Sequence, residues 1–100
     1  MYQCVSIVTA KPECVDTVIQ AASHLVNLSR SESGLIYYNL LRSTDNPNIL
    51  ILVEKWESRE AFLGHVAHAG EPGDPVYEFG MVAEASSAAP PQIFNCELLI

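Results

Sequence analysis

The sequence predicts an α+β fold: a four-stranded antiparallel sheet with its helices on one face, in the chain order β-α-β-β-α-β. Three observations carry this prediction. Four segments rich in β-branched and aromatic residues alternate with two regions of helical periodicity. The two central strands are separated only by a short polar loop containing Pro47, which makes them a hairpin. The other two strands lie at the ends of the chain, the ferredoxin-like split arrangement. One hundred residues suffice for one domain, residues 1–100, with a single modest core.

Tyr2 to Thr9 opens the chain as a strand. Pro12 then suits a first helical turn, and Glu13 and Asp16 suit the positive end of the helix dipole. Val15, Val18, Ile19, Ala22, Leu25 and Val26 form one apolar stripe of a helix that ends near Arg30. Ser31-Glu32-Ser33-Gly34 is turn material. Leu35 to Arg42 and Ile49 to Glu57 are the hairpin strands. Ser58 is a natural N-cap for a short helix with Ala61, Phe62, His65, Val66 and Ala69 on one face. Gly70-Glu71-Pro72-Gly73 breaks that helix. Asp74-Pro75, a cap followed by an N1 proline, starts another that runs to about Ala85. Ser86 to Pro91 is a small-residue linker, and Gln92 to Leu99 is the last strand.

Ile49-Leu50-Ile51-Leu52-Val53 is apolar without alternation, so this strand expects burial on both faces. The helices cover one face, and nothing in the chain is left for the other. A second copy packed sheet to sheet, a homodimer, is the simplest cover. The apolar content of 49% against 17% charged residues fits that expectation.

A net charge of −7, with five scattered Lys and Arg, argues against nucleic acid and against anionic membrane surfaces. No apolar run is long enough to span a bilayer, and the N-terminus lacks the pattern of a secretory signal. Cys4, Cys14 and Cys96 form neither a disulfide framework nor a metal motif, which points to a reduced, cytoplasmic setting. His65, His68 and Glu71 offer only a weak metal set, and no metal is expected. Phosphate-loop, dinucleotide and serine-hydrolase motifs are missing.

The chemistry-bearing residues lie between Ser33 and His65. Glu54 and Trp56 project from the same strand face as Leu50 and Leu52, and a carboxylate there needs a partner. A Glu, a Trp and a His around one cavity can orient and deprotonate a phenol or enol. Each also has a structural reading: Glu54 as a cap or ion-pair partner, Trp56 as core, His65 as a packed histidine.

Gly34-x3-Tyr38, Pro47 and Glu54-x-Trp56-x-Ser58-x-x-Ala61-x-x-x-His65 together resemble the signature of the antibiotic biosynthesis monooxygenase domain. The resemblance implies a ferredoxin-like fold whose dimer closes two sheets into an α/β barrel. It also implies, for some members, oxidation of aromatic polyketides or quinols by O2 with no cofactor. Other members degrade haem or isomerise a phosphorylated sugar. On this reading Trp56 stacks on a planar aromatic substrate, His65 or Tyr38 deprotonates it, and Glu54 orients one of them. Leu52, Phe62, Tyr77 and Phe79 complete the pocket. Many relatives carry a second histidine where this chain has Gly70 or, allowing for an insertion at Gly70–Asp74, Pro75; neither can ligate haem iron.

Two other functional classes stand beside the oxygenase. An isomerase acting on a small oxo or phosphorylated metabolite would need Arg42 and Arg59 to point into the pocket. A non-catalytic ligand-binding or stress-response dimer would have its pocket plugged by Trp56 and Phe79.

Overall fold

A computed structural model describes all of residues 1–100. Strand β1 (Tyr2–Thr9) leads through a 3-10 turn at Pro12–Cys14 into helix α1 (Val15–Ser29). The hairpin β2 (Leu35–Arg42) and β3 (Ile49–Trp56) follows, then α2 (Arg59–His65), α3 (Pro75–Ser86) and β4 (Gln92–Glu97). The sheet order is β2-β3-β1-β4, antiparallel throughout, which is the ferredoxin-like topology. Its extents of 36 × 34 × 21 Å correspond to one helical layer on one sheet.

The predicted punctuation forms. Ser58 Oγ accepts from the Ala61 amide at 3.1 Å, and Asp74 caps α3 by accepting from Val76 at 2.9 Å with Pro75 at N1. The hairpin loop is held by Ser43 Oγ, which accepts from Asp45 and Asn46. The last strand stops at Glu97, two residues short of the expected end, because register with β1 runs out at Tyr2.

β3 alternates strictly: Leu50, Leu52, Glu54 and Trp56 are buried under the helices, while Ile49, Ile51, Val53 and Lys55 are half-buried on the other face. Val5 and Ile7 of β1, Leu41 of β2 and Phe94 of β4 share that open face in register. Leu41 is 47% and Phe94 50% exposed, so the second apolar face is real and is uncovered by this chain itself.

One irregularity places a site residue. β2 carries a bulge between Leu35 and Tyr37, which shifts the strand's phase. Leu35 pairs with Trp56 and Tyr38 with Glu54, so two residues three apart share the helix-covered face. Strict alternation from Leu35 would send Tyr38 outward; the bulge turns it in, and it is buried.

At the other end of β1, Ala10 bridges to Ser87, the Lys11 amide donates to Ser86, and the Ala88 amide donates to Thr9. These bonds pin the α3–β4 linker beside the sheet. No helix is long and apolar enough to cross a membrane.

Candidate functional site

A cavity of about 690 Å³ lies between the helix-covered face of the sheet, α2, α3 and the linker. That is ample for a fused-ring ligand. Its buried end is formed by Cys4, Tyr38, Leu52, Glu54, Phe62 and His65. Its outer wall comes from Val76, Phe79, Gly80 and Ala83 of α3 and from linker residues continuing to the exposed Ile93. The α3 residues recur at helical spacing, so one stripe of that helix faces the ligand space.

Of the residues expected at the site, Tyr38, Glu54, His65, Leu52, Phe62 and Phe79 all line this cavity. Two do not. Trp56 is fully buried beyond the end of the cavity, packed with Cys4 and Phe62 and against the His65 ring, 4.9 Å away and tilted by 37°. It cannot stack on a ligand; it shares the strand face of Glu54 but lies one pleat further along, under α2. Tyr77 is half-buried, and its helical phase, about 100° from Val76, turns it off the lining stripe.

The polar groups at the buried end are fixed by neighbours. The Trp56 indole N–H donates to Glu54 Oε1 at 2.9 Å. Tyr38, directly across the ladder, faces the same carboxylate. Burial nonetheless holds the Glu54 carboxyl above the usual carboxylate range, and the Trp56 bond, the His65 charge and Tyr38 only partly offset it. Burial, reinforced by the charge of Glu54, pushes the Tyr38 phenol far up, so it remains a neutral donor. The same two causes push the Cys4 thiol up to about 11, which leaves it an inert thiol at neutral pH.

The carboxylate beside His65 is a different one. His65 Nδ1 lies 2.7 Å from Glu32 Oε2, and the imidazole side chain is 3% exposed against 37% for Glu32. Of the two groups that Glu54 was expected to orient, Tyr38 faces it across the ladder, whereas His65 is served by Glu32. The imidazole meets the edge of Tyr38 at 5.7 Å. With Nδ1 engaged, Nε2 is the nitrogen left for the cavity.

Glu32 was absent from the residues singled out in the sequence, as was the linker that forms the outer wall. The signal for Glu32 is positional: it stands two residues before Gly34. Gly34 has φ +83°, and a Cβ there would sit 2.6 Å from that of Ala61. Ala61 and His65 are one helical turn apart on α2, so the close Gly34–Ala61 approach brings Glu32 alongside His65.

Arg42 and Arg59 are exposed, and neither lines the cavity; none of the five Lys and Arg residues does. This removes the cationic clamp on which the phosphorylated-isomerase reading depended. Nor is the cavity plugged by Trp56 and Phe79. His68 pairs with Glu71 on the surface, and no group of three candidate metal ligands forms.

The family model for antibiotic biosynthesis monooxygenase matches residues 1–70. No curated protein matches the sequence. Among solved structures, an antibiotic biosynthesis monooxygenase superposes with TM-score 0.84 at 19% identity, covering 100% of both chains. A candidate monooxygenase of that type from Nitrosomonas europaea gives 0.86 at 18% identity, again over 100% of both chains. One from Deinococcus radiodurans gives 0.85 at 20% identity, covering 100% of this chain and 94% of its own. These structures establish the shared fold. The matched stretch holds the Glu54-x-Trp56 strand end, the Ser58 cap and His65, and by it the chain belongs to the antibiotic biosynthesis monooxygenase family.

Proposed function

We propose that the protein is a cofactor-independent monooxygenase acting on an uncharged phenol, hydroquinone or polyketide-like aromatic. One observation carries this reading. Tyr38, Glu54 and His65 converge at the buried end of an apolar cavity that contains no cation. Such a cavity suits a flat, neutral ring with a hydroxyl directed inward. His65 Nε2 accepts the hydroxyl proton, and Tyr38, held as a neutral phenol, donates to the oxygen that becomes negative. The electron-rich anion then reduces O2. One oxygen atom is incorporated at an activated ring carbon, and the other leaves as water with two substrate hydrogens, that carbon's and the hydroxyl's, so the ring becomes a quinone and supplies all four electrons. Glu54 fixes Tyr38 and Trp56, and Trp56 supports His65 from below.

The reading includes a homodimer formed through the open sheet face. Val5, Ile7, Leu41, Ile51, Val53 and Phe94 form a continuous apolar patch there, which a lone small domain rarely leaves in water.

The test is O2 consumption by the purified protein with a panel of naphthols and hydroquinones, alongside their carboxylated counterparts. Uptake is expected with the uncharged compounds only, falling by about 100-fold or more in His65→Ala. No uptake above background across the panel, with His65→Ala indistinguishable from the parent, refutes it.

A further inference from the structure

The geometry points to Glu32 as a positioning residue that selects the tautomer of His65, a role that rests on the proposed base function of that histidine. Four observations converge. Glu32 Oε2 is 2.7 Å from Nδ1, within the range of a charge-assisted bond. An ionised carboxylate can only accept, so Nδ1 must carry the hydrogen. The imidazole is almost wholly buried between Trp56 at 4.9 Å and Tyr38 at 5.7 Å, so it cannot rotate to exchange its nitrogens. And His65 lines the ligand cavity while Glu32 lies outside it, on the solvent side of the ring.

The consequence concerns which nitrogen is basic. Free imidazole side chains favour the tautomer with hydrogen on Nε2, which would present an N–H to the cavity and no lone pair. Glu32 reverses that preference and leaves the Nε2 lone pair facing the substrate hydroxyl. When the hydroxyl proton moves, the O–H bond breaks, an Nε2–H bond forms, and the ring becomes an imidazolium. Its positive charge then lies between the substrate anion and the Glu32 carboxylate, over the face of Trp56.

The position of Glu32 is fixed by the fold. The turn that bears it approaches α2 at two points: Gly34 against Ala61, and Glu32 against His65. A side chain larger than hydrogen at residue 34 has no room at the first point, so the second depends on it. The groups facing His65 from the surrounding elements are Glu32 from the α1–β2 turn, Tyr38 from β2 and Glu54 from β3.

The experiment is a long-range ¹H–¹⁵N correlation spectrum of the ¹⁵N-labelled protein, recorded well above the imidazole titration range. His24→Gln and His68→Gln, both at exposed positions, assign the His65 signals by elimination. The parent is expected to show hydrogen on Nδ1. Glu32→Gln retains an acceptor oxygen and keeps that tautomer, whereas Glu32→Ala shifts it to Nε2–H. On any phenol the parent oxidises, kcat falls about 10-fold or more in Glu32→Ala with little change in KM, and Glu32→Gln recovers part of the loss. Hydrogen on Nε2 in the parent, or an unchanged tautomer in Glu32→Ala, overturns the inference. The spectrum requires no substrate, so loss of the oxygenase reading alone, through absent O2 uptake, leaves the tautomer result to decide the role of Glu32.

Discussion

Replacing Gly34 with Ala combines two separable costs at one position. Its φ of +83° lies in the left-handed region, where an L side chain costs about 1–2 kcal/mol. The added Cβ would also stand 2.6 Å from the Ala61 Cβ, so α2 must back away or the turn must open. Overpacking of this kind costs about 1–3 kcal/mol. Together they give roughly 2–5 kcal/mol, a large share of the 5–15 kcal/mol typical of a domain. Tm should fall by about 4–8 °C for each kcal/mol lost. Urea unfolding of the single variant measures the sum. The Ala61→Gly background separates the parts, because it removes the opposing methyl. There, Gly34→Ala should cost only the backbone share of about 1–2 kcal/mol relative to Ala61→Gly alone, whose own helix penalty is common to both and cancels. A cost below about 1 kcal/mol in the parent, or an identical cost in both backgrounds, would refute the claim that close approach at Gly34 and Ala61 holds the turn to α2.

Two further expectations follow from the buried carboxylate and the open sheet face. The folded state holds the Glu54 proton more tightly than the unfolded chain does. The associated stability is therefore complete below the unfolded carboxyl pKa and is lost as pH rises through the raised folded value. Glu54→Gln, which keeps an acceptor for the Trp56 indole, should leave Tm near pH 4 unchanged and raise it near pH 7; a lower Tm at pH 7 by calorimetry contradicts the assignment. Ile51→Lys places a charge at the centre of the open face, between Ile7 and Leu41 in the register. Sedimentation velocity should show a dimer for the parent and a folded monomer for the variant at equal concentration, and an unchanged sedimentation coefficient counts against sheet-to-sheet assembly.

The fold was readable because its signals are local. Helix stripes, caps at Ser58 and Asp74, and the polar hairpin loop each lie within a few residues, and all of them form. The cavity face of β3 was readable for the same reason: alternation put Leu52 and Glu54 on one side. The failures concern geometry that sequence spacing does not encode. Trp56 has the correct face, but its depth depends on where α2 crosses the strand. Tyr77 lies one step off the cavity stripe of α3, and a one-residue error in helical phase decides between wall and surface. The β2 bulge reverses the facing of every residue after it. Glu32 meets His65 across 33 residues of chain, a contact set by tertiary approach alone.

Trp56 is the chain's only tryptophan, and its ring packs against the imidazole of His65 and is tied to the carboxylate of Glu54. All intrinsic indole fluorescence therefore originates just behind the buried end of the cavity, against two residues that line it. A neutral imidazole and an imidazolium quench an adjacent indole to different extents, and a protonated carboxyl alters the polarity felt by its N–H. The emission of the unmodified protein thus reports directly on the protonation of the buried end of the cavity. Ligand titrations and rapid mixing can follow events at that end with no label introduced into so small a core.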